Sequence, residues 1–446
     1  MMKSRTLRGL AAATAIAAAG IGVAEVALAD EVFVPVTIYR TGPYAPGGSG
    51  VGGGFIDYMA MLNERDGGIN GVKIAWEECE TAYQPDRMVE CYERLKGRGD
   101  KGATVFNPLG TGLTYAIMER ATEDKIPILT MGYGRTDASD GRVWPYLFPL
   151  IVNYWNQSTA KIAYIAEQEG GYENLEGLKI ANLLHDSAYG KETHTVLEAQ
   201  AEKYGFEVQH FPVAHPGLDQ KATWLQISRR FKPDWVILRG WGVMCSTAIK
   251  EAARINFPRE KMIGVWWCGS EEDVIAAGSA AKGYVTTTFH APGHEFPVIK
   301  EIMTHVHDKG NGNIDTERVG SIYYNRGIVQ AILTTEAIRT AMGKFGDRAV
   351  SGEEVQWGLE NLNITVERIA EMGAEGLVSP LKTSCFDHEG GGLVKVQQWD
   401  GDKWVLITDD WIEPDWSLTR PLVEASAAAY AEEKGVAVRE CPAETG

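Results

Sequence analysis

From residue 32 onward, short apolar runs rich in β-branched residues alternate with stretches whose apolar side chains recur at helical spacing. Residues 32–39 predict a strand. Residues 55–65 predict a helix that stops at Gly67-Gly68, where glycine tolerates the left-handed backbone of a helix end. A strand over 72–76, a helix over 86–96, a strand over 104–106, a helix over 114–122 and a strand over 126–130 follow. A second series repeats the rhythm. Its helices fall at 156–168, 191–204, 223–230 and 245–253, and its strands at 178–184, 207–211, 235–238 and 262–265. After Gly283 the pattern changes to long helices at 296–309, 320–342 and 353–362. Strands at 394–399 and 404–408, with a Gly401-Asp402 turn between them, precede an Ala-rich helix at 423–434. Parallel strands need crossover helices, so the repeated βα alternation predicts α/β architecture with sheets covered on both faces. Two such series predict two similar lobes.

The N-terminus has a different pattern. Lys3, Arg5 and Arg8 precede an apolar run over 10–24, and Ala27-Leu28-Ala29 follows. This order predicts a signal peptide over 1–29, cleaved before Asp30. The run falls short of the ~20 residues that span a bilayer. No cysteine stands at the cleavage point, and Thr6-Leu7 separates Arg5 from Arg8, so neither a lipid anchor nor a twin-arginine route is expected. The expected location is periplasmic. The formal net charge of −17 disfavours nucleic acid and anionic lipid as partners. Six cysteines, Cys79, Cys91, Cys245, Cys268, Cys385 and Cys441, allow fifteen pairings but fall into three local pairs. A 79–91 bridge would contribute about 3 kcal/mol. A 385–441 bridge would pin the tail, whereas Cys245 and Cys268 are equally compatible with buried thiols.

Several segments carry a family resemblance. They are Thr41-Gly42-Pro43-Tyr44 after the first strand, the helix exit from Asn63 to Gly71, Lys125-Ile126-Pro127-Ile128, Asp186-Ser187-Ala188-Tyr189-Gly190-Lys191, and Tyr323-Tyr324-Asn325. In this order they resemble the type I periplasmic solute-binding proteins of ABC importers, in the leucine/isoleucine/valine-binding branch. The resemblance implies two Rossmann-like lobes with parallel central sheets, joined by three hinge crossings near 147–152, 286–290 and 385–389. It divides the chain into 30–150 plus 287–386 and 151–286 plus 387–446, the latter with the C-terminal tail. It also implies a monomer that clamps a small molecule and delivers it to an ABC permease, with no cofactor and no enzymatic activity. The family's cystine joins the first cysteine to one after the third strand. Asn107 stands there in this chain, which leaves Cys91 as the local partner of Cys79.

Ligands of open α/β sheets bind outside the carboxyl ends of the strands. Those ends carry Tyr44, the Gly110-Thr111-Gly112 stretch, Gly132-Tyr133-Gly134-Arg135, Tyr189, Arg239, Trp241 and Trp266-Trp267. The resemblance gives Thr111, Gly112, Gly132 and Gly134 to a ligand carboxylate, and free N–H groups at a helix start suit that role. It also places Trp266 where amino-acid binders offer an acid to the ligand's ammonium. With Trp241 and Trp267 nearby, the expected ligand is an aromatic or apolar carboxylate, with an amino acid or an amide as the alternative. Arg135 and Arg239 are candidate partners of the carboxylate. On a strand Trp266 and Trp267 would face opposite ways, leaving one in the core.

An NAD-dependent enzyme is the rival reading, since Gly48 to Gly53 fits G-x-G-x-x-G. That fingerprint needs its first glycine at the strand end, and here Thr41 to Gly47 intervenes, with two prolines. G-x-S-x-G and G-x-x-x-x-G-K-[ST] are absent. The pairs His290/His294 and His305/His307 lack an acidic partner motif, so no metal is expected.

Overall fold

The computed structural model describes residues 30–442. The predicted signal peptide, 1–29, lies outside the described residues. In the first lobe, β1 (Glu31–Ile38), α1 (Ala45–Arg65), β2 (Lys73–Glu80), α2 (Pro85–Leu95), α3 (Thr111–Glu123), β3 (Ile128–Met131) and β4 (Leu147–Leu150) follow in order. β1 pairs parallel with β2, and β3 with β4. The stretch around residues 104–106, predicted as a strand, joins the two pairs only through single parallel bridges, Phe33 to Ala103 and Phe106 to Ile128. Every residue of β1 after Glu31 is buried, as expected of a strand covered on both faces.

The second lobe runs α4 (Tyr154–Glu169), β5 (Lys179–His185), α5 (Ala188–Lys191), α6 (His194–Tyr204), β6 (Glu207–Val213), α7 (Lys221–Gln226), β7 (Trp235–Arg239), α8 (Val243–Arg254), β8 (Met262–Gly264), α9 (Glu271–Ile275) and β9 (Val285–Thr288). The chain then returns to the first lobe for α10 (Pro297–Ile302), α11 (Ile322–Phe345), α12 (Gly352–Glu360), β10 (Asn363–Ile364), α13 (Val366–Glu371) and β11 (Leu381–Lys382). It crosses again into β12 (Lys395–Trp399) and β13 (Trp404–Leu406), and ends in α14 (Trp416–Lys434). The second sheet has the order β13-β12-β9-β8-β7-β5-β6, parallel from β9 to β6 and antiparallel at β12 and β13. Among the described residues, no helix is long and apolar enough to cross a membrane.

Three crossings therefore join the lobes, and two of them are laced together. Ile151 N–H donates to the Glu389 carbonyl at 3.0 Å, and Gly392 N–H donates to the Ile151 carbonyl at 2.6 Å. The buried Glu389 carboxyl accepts from Asn153 N, Asn153 Nδ2 and Asn156 Nδ2, each at 2.7 Å. Burial outweighs these donors and pushes its pKa up to about 8. α14 straddles the lobes, touching α4 and α6 on one side and stacking Tyr430 on Trp144 of the other at 4.1 Å.

Helix α1 begins ten residues before the predicted start, and its first half is the glycine-rich segment of the dinucleotide-like pattern. These glycines are helical and serve close packing rather than a phosphate-binding turn. A Cβ on Gly54 would lie 2.0 Å from the Tyr324 carbonyl oxygen of α11, and one on Gly327 would lie 2.0 Å from that of Val51. The three cystines are Cys79–Cys91, Cys245–Cys268 and Cys385–Cys441, with Cα separations of 5.7, 5.4 and 5.6 Å. The middle pair is thus a bridge and not two free thiols.

Candidate functional site

The carboxyl ends of the two sheets face each other across a narrow, half-open cavity. From the first lobe its wall takes Tyr39 at the end of β1, Tyr83 after β2, Leu109, Gly110 and Thr111 at the start of α3, and Tyr133 after β3. From the second lobe it takes Tyr154 at the start of α4, Tyr189 of α5, Trp241 after β7, and Trp267 after β8. Leu109, at φ 49°, is held by its N–H donating to the Tyr133 hydroxyl at 3.0 Å. Thr111 Oγ1 accepts from Gly134 N–H at 3.2 Å, which ties the start of α3 to the β3 exit. Burial raises the pKa of Tyr39, Tyr133, Tyr154 and Tyr189, so the wall presents neutral hydroxyls.

Thr111, Tyr133, Tyr189, Trp241 and Trp267, all singled out in the sequence, come together on this wall. Gly112, Gly132, Gly134 and Trp266 stand beside or behind it. Trp266-Trp267 is not a strand pair but opens a tight 3₁₀ turn, so both indoles turn toward the first lobe. Each Nε1–H donates to the Gly132 carbonyl at 2.8 Å. Trp266 lies behind, stacked on Tyr154 at 6.0 Å, while Trp267 faces the cavity. Tyr44 is also displaced from the wall. Its hydroxyl meets His185 Nε2 at 2.9 Å and its ring stacks on Trp241 at 6.2 Å, joining the lobes at the rim. Burial pushes its pKa up to about 12.

The two arginines do not reach the cavity. Arg135 pairs with Asp137 at 2.6 Å and sits 4.7 Å over the Trp144 ring and 4.6 Å over Tyr430. Arg239 is fully buried behind the wall. Its guanidinium lies 3.9 Å from the Tyr154 ring centroid and 4.8 Å from that of Tyr189. Nε and Nη2 donate to the Tyr189 carbonyl, and Nη1 has no partner. Buried Arg326 sits similarly, 4.6 Å over Trp267, and desolvation lowers its pKa to about 10. Among the described residues, no Asp or Glu lines the cavity. Glu271 and Glu272 are used elsewhere, on Ile322 N–H at 2.9 Å and Arg318 at 2.6 Å. The aromatic box therefore has cations behind two of its faces and no counter-anion within it.

Tyr39, Tyr83 and Tyr154 are not among the residues that the sequence singles out. Tyr39 ends its predicted strand, which is the available signal; Tyr83 packs on Tyr39 at 5.2 Å and on Tyr44 at 4.6 Å, and Tyr154 comes from the start of α4, contacts that no local pattern records. Glu192 is not among them either. It clamps the lobes by accepting from Tyr115 Oη–H and Thr136 N–H, each at 2.7 Å.

The chain matches the family described as periplasmic binding protein over residues 31–403. It is a type I periplasmic binding protein of the ABC transporter systems. Members of this family bind solutes and are not enzymes. The binding protein is similar to a solved structure from the Pseudomonas fluorescens group, described as an ABC transporter permease. The two share 49% identity over 93% of this chain and 100% of that one, at a TM-score of 0.87. It shares its fold with a branched-chain amino acid ABC transporter protein from Thermus thermophilus with bound valine. Identity there is 21% over 88% of this chain and 98% of that one, with a TM-score of 0.73. A solute-binding protein from R. palustris in complex with benzoate also shares the fold, at 17% identity, 86% and 97% coverage and a TM-score of 0.67. No curated protein matches this chain.

Proposed function

We propose that this binding protein captures a small aromatic or otherwise apolar carboxylate between its lobes and hands it to an inner-membrane ABC permease. The observation that carries the reading is the cavity wall. Its side chains are tyrosines, tryptophans, one leucine and one threonine, with no acid among them, and buried Arg239 and Arg326 lie directly behind the rings. A ring enclosed by such a wall gains about 0.5–1.5 kcal/mol per aromatic contact beyond area burial. The amide groups at the start of α3 and the field of the guanidinium groups favour a negative headgroup. An α-amino acid fits less well, because a buried ammonium without a counter-charge costs several kcal/mol and Glu271 and Glu272 are committed elsewhere.

The lobes are taken as 30–150 plus 287–386 and 151–286 plus 387–446, a division that falls within β9, with the mature chain beginning at Asp30. A ligand touching both lobes shifts the population toward the closed form, which the permease recognises. The test is a thermal-shift screen of the mature protein against benzoate, 4-hydroxybenzoate, leucine, valine, short amides and a fatty acid. A ligand at 100 times its Kd adds about 2.7 kcal/mol of stability. Stabilisation by leucine or valine, with none by the aromatic acids, would replace this reading with amino-acid transport.

A further inference from the structure

We propose that His194, Glu198 and His210 form a binding site for one divalent transition-metal ion of the Zn²⁺ type, on the second lobe and independent of the ligand cavity. His194 and Glu198 lie four residues apart on α6, so they share a helix face. His210 comes from β6, the edge strand of the second sheet. One ligand atom from each of the three lies within 4.8 Å of the other two. Two imidazoles and a carboxylate form a donor set suited to zinc and its borderline neighbours, with a fourth position left to water.

The surroundings of the cluster also suit a metal. Asn182 sits directly across from His210 in the β5–β6 register and is fully buried. Its side-chain amide contacts His210 Nδ1 at 3.0 Å, while its carbonyl oxygen has no partner. Turning that amide presents the oxygen to Nδ1–H and leaves Nε2 with a free lone pair, as an outer-shell carbonyl does for a metal-bound histidine. Nε2 of His210 already faces Glu198 Oε1 at 3.2 Å. Nε2 of His194 is buried and has no hydrogen-bond partner. The nearby ammonium of Lys191 is paired with Asp186 at 2.7 Å. The Glu198 side chain is 62% exposed, which leaves an entry path for an ion.

One rearrangement is required. The two imidazoles stack at 3.9 Å and 16°, and parallel rings do not aim their lone pairs at one point. Donors about 2.1 Å from a common ion must also draw in by about an ångström. Rotation of a histidine ring about its Cβ–Cγ bond is soft, and the partial exposure of both rings leaves space for it. The sequence alone did not reveal the cluster, because its third member lies on another element.

The test is calorimetric titration of the EDTA-stripped mature protein with ZnCl₂. The expected result is saturation at one ion per chain. H194Q and H210Q should each weaken binding by at least about tenfold, E198Q by at least about threefold, and H294Q/H305Q should leave it unchanged. Glu198 is exposed, so E198Q folds even where a histidine variant does not, and melts in EDTA check the others. Failure to saturate near one equivalent, or an isotherm unchanged in H194Q/H210Q, would overturn the proposal.

Discussion

The Glu192 clamp gives a sharp test of the two-lobe reading, because it joins the lobes without lining the cavity. Replacing Tyr115 with Phe deletes one hydroxyl and keeps the ring. The lost interaction is a 2.7 Å bond from Oη–H to the Glu192 carboxylate, and hydrogen bonds to charged groups contribute about 1.5–3 kcal/mol. Both partners are only partly buried, which points to the lower figure. Thr136 N–H still holds the other carboxylate oxygen at 2.7 Å, so the clamp weakens rather than breaks. The bond exists only when the lobes meet, and its loss therefore falls on the closed form alone. About 1.5 kcal/mol corresponds to about a tenfold rise in Kd, carried mainly by faster release. The assay is calorimetry and stopped-flow tryptophan fluorescence with benzoate, or with the strongest stabiliser from the screen. A Kd within about twofold of the parent would mean that closure does not depend on this contact, and the reasoning fails.

Gly327→Ala should destabilise the protein by at least about 1–3 kcal/mol, as overpacking does, despite the better helix propensity of alanine. Its Cβ would meet the Val51 carbonyl at 2.0 Å and Phe55 N at 2.7 Å; guanidinium unfolding that shows equal or greater stability contradicts the packing argument. Glu389, with a folded pKa of about 8 against 4.5 in an ordinary glutamate, holds its proton more tightly folded than unfolded. Its contribution is therefore full below pH 4.5 and is lost as pH rises toward about 8. Parent melting temperatures should accordingly fall relative to those of Glu389→Gln across that window, and parallel curves would refute the assignment.

The sequence displayed most of the fold, since strand and helix periods are local properties. It hid the first half of α1, because glycine and proline weigh against a helix and only the close approach of Tyr39, Ile38, Trp241 and α11 makes glycine useful there. Strand alternation sets Trp266 and Trp267 on opposite faces, a rule that fails in a 3₁₀ turn. The strand-end rule led to Tyr133, Tyr189, Trp241 and Trp267 but could not separate a residue on the wall from one at the rim, such as Tyr44. Arg135 and Arg239 are strand-end cations as well. Aromatic rings hold one away from the cavity and the other behind its wall, a distinction set by side-chain packing far apart in the chain. The His194–Glu198–His210 cluster depends on a helix lying over a strand edge, which no spacing records.

The Gly132 carbonyl accepts two indole N–H groups from the opposite lobe, so both of its lone pairs are spoken for. A water molecule seeking entry along that seam must evict two donors together, and a guest finds no acceptor there to compete for. That edge of the chamber is sealed by the host alone, whatever the shape of its cargo, and discrimination among cargoes is left to the remaining walls.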